Sequence, residues 1–514
     1  MKMNRIIHTI SLLLFAALLF GGCSKSEGGD NGGIPEGCDT FGYVTDNSGA
    51  PIQGVVVSDG YTCAQTDAQG LYKLTRNTLA YYVYYSIPAG YEVNIGKTSD
   101  MPEFYSRLAA GTARYDFQLK PLAAPEKEFR LVCIGDPQVN DAGNVSRFNN
   151  ETVADMKSYL ADATVPCYAI ALGDLVNNKW NLFPNMFSAM QKSKTSLPVF
   201  QTIGNHDHDF NAKTDFLAQR TYEALFGPVN YSFDRGDVHI ISMDNVIHGC
   251  GKSDNYEAGF LEWQYKWLQQ DLSYVPKDKK VILCVHIPFR GGAASGGSSM
   301  NKDKYYTETL QLLSEYSSAT IMSAHTHSNI NYIHKVNGKE IYEHITGTTC
   351  GAWWQSTVCT EGTPNGYAVY DIDGAKITEW IYKPVKYDAD FQIRLYRASD
   401  SFVGGTSSYR FSKTGANQIV ANIWNSDPSW TVSVYENGSK TGTMTRYTDR
   451  DAWTVAYHVG SLQGSSSYNK TAEHMYWYQL QDANAAVRVE AVDRFGNTYT
   501  QTEFTDPNTN PAGY

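Results

Sequence analysis

Val199-Phe200-Gln201-Thr202-Ile203-Gly204-Asn205-His206-Asp207 is the stretch that decides the reading of this chain. Residues 199–203 form a short apolar run, and a glycine, an amide, an imidazole and a carboxylate follow at once. Four other segments have the same build. Residues 129–134 lead into Asp136-Pro137-Gln138, and residues 168–172 into Gly173-Asp174. Residues 281–285 lead into His286, and residues 320–323 into Ala324-His325-Thr326-His327. Short apolar runs bounded by polar clusters read as buried β-strands. Oxygen and imidazole donors gathered at strand ends point to a polar, multi-metal site built on a sheet.

The remainder of the chain sets the frame for that site. With 514 residues, about two to four domains are expected. Apolar residues make up 42% of the chain, enough for packed cores. The net charge is −11 and there is no long basic run, which excludes a surface for duplex nucleic acid. An anionic substrate remains compatible if cations supply the local positive charge.

Lys2 and Arg5 precede an apolar stretch at 6–20, too short for a comfortable membrane span. Gly21-Gly22-Cys23 then resembles a bacterial lipobox. Residues 1–22 are thus expected to be a lipoprotein signal peptide, with Cys23 lipidated. Residues 23–37, rich in Gly and Ser, would be a flexible tether. The expected location is the bacterial cell envelope, membrane-anchored and either periplasmic or surface-exposed. Nine cysteines are present. Cys350 and Cys359 flank a loop and are the best candidate disulfide in an exported chain. Cys133, Cys167 and Cys284 lie in apolar runs and read as buried thiols. There is no Cys-x-x-Cys pair, so a zinc ribbon is not supported.

Residues 38–122 read as a small β-domain. Gly54-Val55-Val56-Val57 and Thr66-Asp67-Ala68-Gln69-Gly70-Leu71-Tyr72 resemble a transthyretin-like β-sandwich, for which a spacer role is expected. Residues 121–127 look like a linker. Residues 126–384 alternate strand runs with helical stretches, the pattern of a layered α/β domain. A helix over 260–272 would place Trp263, Trp267 and Leu268 in the core. Residues 387–514 carry alternating strand patterns and turn signals, which predict a second β-sandwich-like module.

Phosphate-ester hydrolysis needs charge neutralised on the phosphoryl oxygens, a nucleophile at neutral pH, and a proton for the leaving oxygen. Two divalent ions ~3.5–4 Å apart meet the first two needs, and they require a bridging carboxylate with oxygen and imidazole ligands. The order Asp-x-Gln, Gly-Asp, Gly-Asn-His-Asp, His, Ala-His-Thr-His resembles the calcineurin-like metallophosphoesterase superfamily. Phe226-Gly227-Pro228, followed by Tyr231 to Asp237, agrees with that pattern. The flanking domains, with Trp353-Trp354 and Gly362 to Tyr367, resemble a bacterial subgroup with distinctive N- and C-terminal domains.

The resemblance implies an α+β fold, a central α/β/β/α sandwich between two β-sandwich-like domains. It implies two divalent metals (Mn, Zn, Fe or Mg) and a hydroxide held between them. Asp136, Gln138 and His327 would hold one metal, Asp174 would bridge, and Asn205, His286 and His325 would complete the second. His206 would contact the phosphoryl group and protonate the leaving oxygen, with Asp207 hydrogen-bonded to it. Gln138 stands where many members carry His, and Ala324 where Gly is usual. Asn177 stands where purple acid phosphatases place an iron-binding Tyr.

Outside those motifs, Arg290 is a candidate phosphate contact. Trp353 and Trp354 are candidates for an aromatic wall, with one of the two expected to be packed. Asn178, His208 and Asp209 read as solvated loop residues. His325 and His327, one residue apart, would share a face if on a strand. The expected substrate is a phosphorylated small molecule, or a glycan or lipid headgroup, as monoester or diester. The rival reading is a non-catalytic surface binding lipoprotein that keeps the fold.

Overall fold

A computed structural model describes residues 33–292, 299–399, 402–404, 407–462 and 468–507. The signal segment and Cys23 lie outside the described residues. The fold is α+β, and at its centre two sheets face one another.

One sheet has five strands, in the order Val199–Gln201, Cys167–Ala171, Glu128–Ile134, Gly366–Asp373, Lys376–Pro384. The other has six, in the order Tyr231–Arg235, Val238–Ser242, Lys280–Cys284, Ser318–Ser323, Lys339–Ile345, Ile330–Val336. The motif-bearing strands are the parallel ones. Glu128–Ile134 pairs in parallel with Cys167–Ala171, and that strand with Val199–Gln201. Lys280–Cys284 runs parallel to Ser318–Ser323. Parallel strands are covered on both faces, which is why the sequence shows them as unbroken apolar runs.

The two-residue period of a strand sorts these runs into layers. Leu131 and Cys133 point between the sheets, with Ile282, Cys284 and Met322 from the opposite side. Val132 and Ile134 point outward against Met156, Phe183, Met186 and Met190 of one helical layer. Val281, Leu283 and Val285 point outward against Trp267, Leu268 and Leu272 of the other. Those last three lie on the helix Glu262–Ser273. Trp263 is half-buried instead, its ring 4.5 Å from that of Tyr61 in the N-terminal domain.

The N-terminal domain has a three-stranded and a four-stranded sheet. It shares the inter-sheet core, since Val57, Tyr84, Tyr85 and Phe104 pack in one cluster with Phe200 and Phe233. Its tyrosine hydroxyls donate to the central domain, Tyr82 to the Glu223 carbonyl at 2.5 Å and Tyr84 to that of Asn230 at 2.5 Å. It is therefore built into the body of the protein, more than a spacer needs.

The C-terminal domain has two four-stranded sheets. It is held by buried amides, with Asn329 Nδ2 donating to the Trp424 carbonyl (2.8 Å) and Asn331 Nδ2 to that of Asn425 (2.9 Å).

The expected Cys350–Cys359 disulfide is absent, and both are buried free thiols. Cys350 Sγ faces His327 Nδ1 at 3.8 Å, while Cys359 Sγ faces Thr348 Oγ1 at 3.6 Å. The two side chains serve different contacts, so their closeness in sequence did not bring the sulfurs together. Cys133 and Cys284 are buried as expected, and Cys167 is half-buried.

Candidate metal centre

The site lies where the motif strands end. Asp136, Gln138, Asp174, His325 and His327 have φ of 40, 36, 51, 67 and 55°. Non-glycine residues rarely adopt positive φ, and such strain persists where surrounding structure enforces it. Here each strand end turns sharply to bring a polar side chain back over the sheet edge. The motif glycines make room for this. Gly173 has φ +94°, and a Cβ there would lie 2.7 Å from His286 Nδ1. A Cβ on Gly204 would collide with the Asp174 carboxylate.

These turns converge on Asp174. His286 Nδ1 donates to the Leu172 carbonyl at 2.8 Å, which turns Nε2 inward. That Nε2 lies 3.0 Å from Asn205 Oδ1, 3.3 Å from Asp174 Oδ1 and 3.2 Å from His325 Nδ1. Asp174, His286 and His325 offer ligand atoms all within 4.8 Å of one another. On the other side, Asp174 Oδ2 accepts from Gln138 Nε2 at 3.1 Å, and Gln138 Oε1 is buried with no partner. Asp136 Oδ1 lies 3.8 Å from His327 Nε2, and both its oxygens face the His325 amide. Converging lone pairs and an orphaned buried amide oxygen are costly without a donor. A divalent cation fits them, and the mixed oxygen and nitrogen set suits Mn, Fe or Zn better than an all-oxygen cage would.

The electrostatics agree with a site built for cations. Burial pushes the Asp136 carboxyl up to about 8, with the neighbouring Asp174 adding to the effect. Burial acts on Asp174 in the same direction, but His286 and His206 outweigh it and hold that carboxyl well below its usual range. Burial lowers His325 well below its ordinary value and His327 to about 3, so both imidazoles are neutral and able to ligate.

A pH dependence follows. In the metal-free protein Asp136 keeps its proton below about pH 8, and it must lose it to ligate. At His286 burial is outweighed by Asp174, which raises that imidazole to about 9, so it too must lose a proton to ligate. Metal affinity is therefore expected to rise with pH up to about 9, and uptake at pH 7 to release protons. Calorimetric titration in two buffers of different ionisation enthalpy reads this directly; equal heats in both would contradict it.

Three family models match the chain in order. They are the N terminal of calcineurin-like phosphoesterase over residues 39–122, calcineurin-like phosphoesterase over 129–329, and the C terminal of calcineurin-like phosphoesterase over 343–499. The chain belongs to the calcineurin-like phosphoesterases. It is accordingly a metal-dependent hydrolase of phosphoester bonds.

No curated protein matches this calcineurin-like phosphoesterase. Solved structures similar to it include a dimetal phosphatase from Danio rerio, 13% identical over 50% of this chain and 96% of that one, with a TM-score of 0.36. A purple acid phosphatase from yellow lupin seeds is 11% identical over 70% of this chain and 56% of that one, with a TM-score of 0.34. A 5′-nucleotidase precursor from Thermus thermophilus is 10% identical over 73% of this chain and 88% of that one, with a TM-score of 0.31.

Several expectations need correction in this phosphoesterase. Asp207 does not bond the His206 ring. Its carboxylate is fully buried and accepts from the amides of Gly204 (3.0 Å) and Val176 (3.2 Å), so it clamps the turn from below. His206 is half-buried, its amide donates to Asp174 Oδ1 at 2.8 Å, and its Nδ1 has no partner. His208 is not a solvated residue. It is fully buried between the Gly204 carbonyl (2.8 Å) and Asp244 Oδ2 (3.1 Å).

Arg290 does not reach the cluster. Its guanidinium lies over Tyr332, 4.4 Å from the ring centroid, in a cavity it shares with Arg446 and Glu473 of the C-terminal domain. His325 and His327 lie beyond the strand Ser318–Ser323, so their convergence comes from the turn and not from strand alternation. Ala324 is outside the positive-φ set, and its Cβ is tolerated. The two tryptophans divide as expected. Trp354 is buried, donating Nε1 to the Pro137 carbonyl at 2.8 Å, while Trp353 is half-buried and stacks on His327 with centroids 4.5 Å apart.

Two residues of the C-terminal domain reach this region without any sequence signal. Tyr468 packs edge-on against Trp353 at 4.9 Å. Lys470 Nζ donates to the Thr326 carbonyl at 2.7 Å, between the two histidines of the turn. Nothing near Lys470 in sequence resembles a motif, and only tertiary packing places it. Its ammonium adds positive potential where an anionic ester would approach. Lys470→Met is expected to lower kcat/KM for p-nitrophenyl phosphate about tenfold, ~1.4 kcal/mol, mainly through KM. An unchanged kcat/KM would remove Lys470 from this account.

Proposed function

We propose that the chain hydrolyses phosphate esters with a dinuclear centre. Asp136, Gln138 and His327 hold one divalent cation, and Asn205, His286 and His325 hold the other, with Asp174 shared between them. The single observation that carries this is the convergence of His286 Nε2, Asn205 Oδ1 and His325 Nδ1 on one face of Asp174, with the orphaned Gln138 Oε1 on its other side. Bound cations would supply charge neutralisation on the phosphoryl oxygens and a lowered pKa for water.

The chain's own residues do the rest. His206, anchored through its amide to Asp174, presents its ring to the ester and gives a proton to the leaving oxygen. Trp353 offers an aromatic surface beside His327, suited to a leaving group that carries a sugar or base ring. The substrate is then a phosphorylated small molecule or a glycan or lipid headgroup. Export, lipidation at Cys23 and anchoring in a bacterial envelope belong to the same proposal and rest on residues 2–23 of the sequence.

The test is hydrolysis of p-nitrophenyl phosphate against its bis ester, with chelator and metal add-back. Turnover of either ester, lost to chelator and restored by metal, is expected. Two bound metals with no turnover of any phosphoester in a broad panel would overturn the catalytic reading. For the anchor, Cys23→Ser is expected to move the protein from the membrane fraction to the soluble one.

A further inference from the structure

A second site is built at the opposite end of the sandwich. Lys280 opens the strand Lys280–Cys284, whereas His286 follows that strand's far end. Six residues of strand rise put the two about 20 Å apart. Lys280 is 5% exposed. Its Nζ donates to Thr320 Oγ1 at 2.9 Å and lies 3.5 Å from Ser318 Oγ. Among the described residues it has no ion-pair partner, and burial alone lowers its pKa, to about 8. A buried lysine whose partners are hydroxyls and no carboxylate is a costly arrangement in a finished core.

Lys280 also lines a cavity. A cavity of about 330 Å³ is lined by Lys280, Tyr342, Tyr370, Ile377, Trp380 and Phe495. That is within the usual range for a small-molecule site, ~300–1,000 Å³, and the lining has the usual character, aromatic walls with a few charged side chains. Tyr370 and Trp380 stack with centroids 5.3 Å apart and present a flat floor. The other charged residues at the cavity, Arg494, Glu340 and Lys376, are exposed. Arg494 Nε is held by Asp427 Oδ2 at 3.0 Å, and Glu340 lies 3.8 Å from Lys335. Lys280 is the one buried cation among the residues that line the cavity, so it is the group that gains most from pairing with an anion.

We infer that this cavity binds a flat organic anion, its carboxylate on Lys280 and its ring against Trp380 and Tyr370. Phe495 belongs to the C-terminal domain and Trp380 to the central sheet, so an occupant would bridge the two. The inference does not depend on the catalytic reading, because none of these residues belongs to the metal centre.

The experiment is calorimetric titration of the full chain with 2-naphthoate, beside the neutral alcohol 2-naphthalenemethanol. Naphthoate is expected to bind in the sub-millimolar range and the alcohol at least ~10-fold more weakly. Lys280→Met should weaken naphthoate binding at least ~10-fold and leave the alcohol unaffected. Ile377→Trp, which keeps the lysine and fills the cavity, should abolish binding of both, with near-ultraviolet circular dichroism reporting that each variant is folded. If Lys280→Met does not fold, Ile377→Trp decides alone. Equal binding of acid and alcohol to the wild type, naphthoate binding that survives either substitution, or no binding to the wild type up to ~10 mM would overturn the inference.

Discussion

Asp174→Asn is expected to lower kcat/KM for p-nitrophenyl phosphate by at least about 10³-fold, ~4 kcal/mol of transition-state stabilisation, and to strip metal from the protein. The size follows from where this carboxylate sits. One oxygen faces His286 Nε2 at 3.3 Å, and the other accepts from Gln138 Nε2 at 3.1 Å. The change to an amide keeps volume and removes the negative charge on which two cations would depend. Asp174 Oδ1 also fixes the His206 amide at 2.8 Å, so the substitution disturbs the acid as well as the metals. Kinetics beside metal analysis on the same preparation checks both effects. A variant with full metal content and near wild-type turnover would exclude Asp174 as the shared ligand.

The second large effect is assigned to His206. His206→Ala is expected to reduce kcat by about 10²–10⁴-fold while leaving metal content unchanged. Its ring takes no part in the contacts around His286 Nε2, and its Nδ1 is buried without a partner. Its backbone is fixed independently of its ring, by Asp174 Oδ1 at the amide and Trp180 Nε1 at the carbonyl (3.2 Å). Alanine therefore removes the ring and spares the turn. Esters with good leaving groups need less proton transfer, so the loss should shrink as the leaving alcohol becomes more acidic. A metal-depleted variant, or a loss independent of leaving group, would contradict the role given to this ring.

The sequence revealed the site to the extent that strand ends reveal themselves. Residues 129–134 and 281–285 were legible because parallel strands covered on both faces are apolar at every position. The polar residues after them then stood out. Asp136, Gln138, Asp174, Asn205, His286, His325 and His327 do come together where strands of both sheets end. What could not be read was direction. Asp207 sits next to His206 in sequence, yet its carboxylate turns inward to two backbone amides. His208 looked like a loop residue and is buried against Asp244, 36 positions away. Arg290 follows His286 closely, but its side chain leaves toward Tyr332. Lys470 gave no signal, because its place beside Thr326 depends on how the C-terminal domain packs. The same limit applies to Cys350 and Cys359, whose nearness in sequence says nothing of where each sulfur points.

Gln138 is where this chain departs most from the pattern it resembles. Its Oε1 is buried and unpartnered, consistent with a ligand in waiting, and a neutral amide oxygen binds a cation less tightly than an imidazole would. The half-site of Asp136, Gln138 and His327 should then be the weaker of the two.

Metal content per chain, followed together with turnover as a chelated protein is titrated with a divalent cation, tests the central claim most directly. The account predicts two equivalents, with activity rising as the second binds. Full activity at one equivalent or none would contradict it.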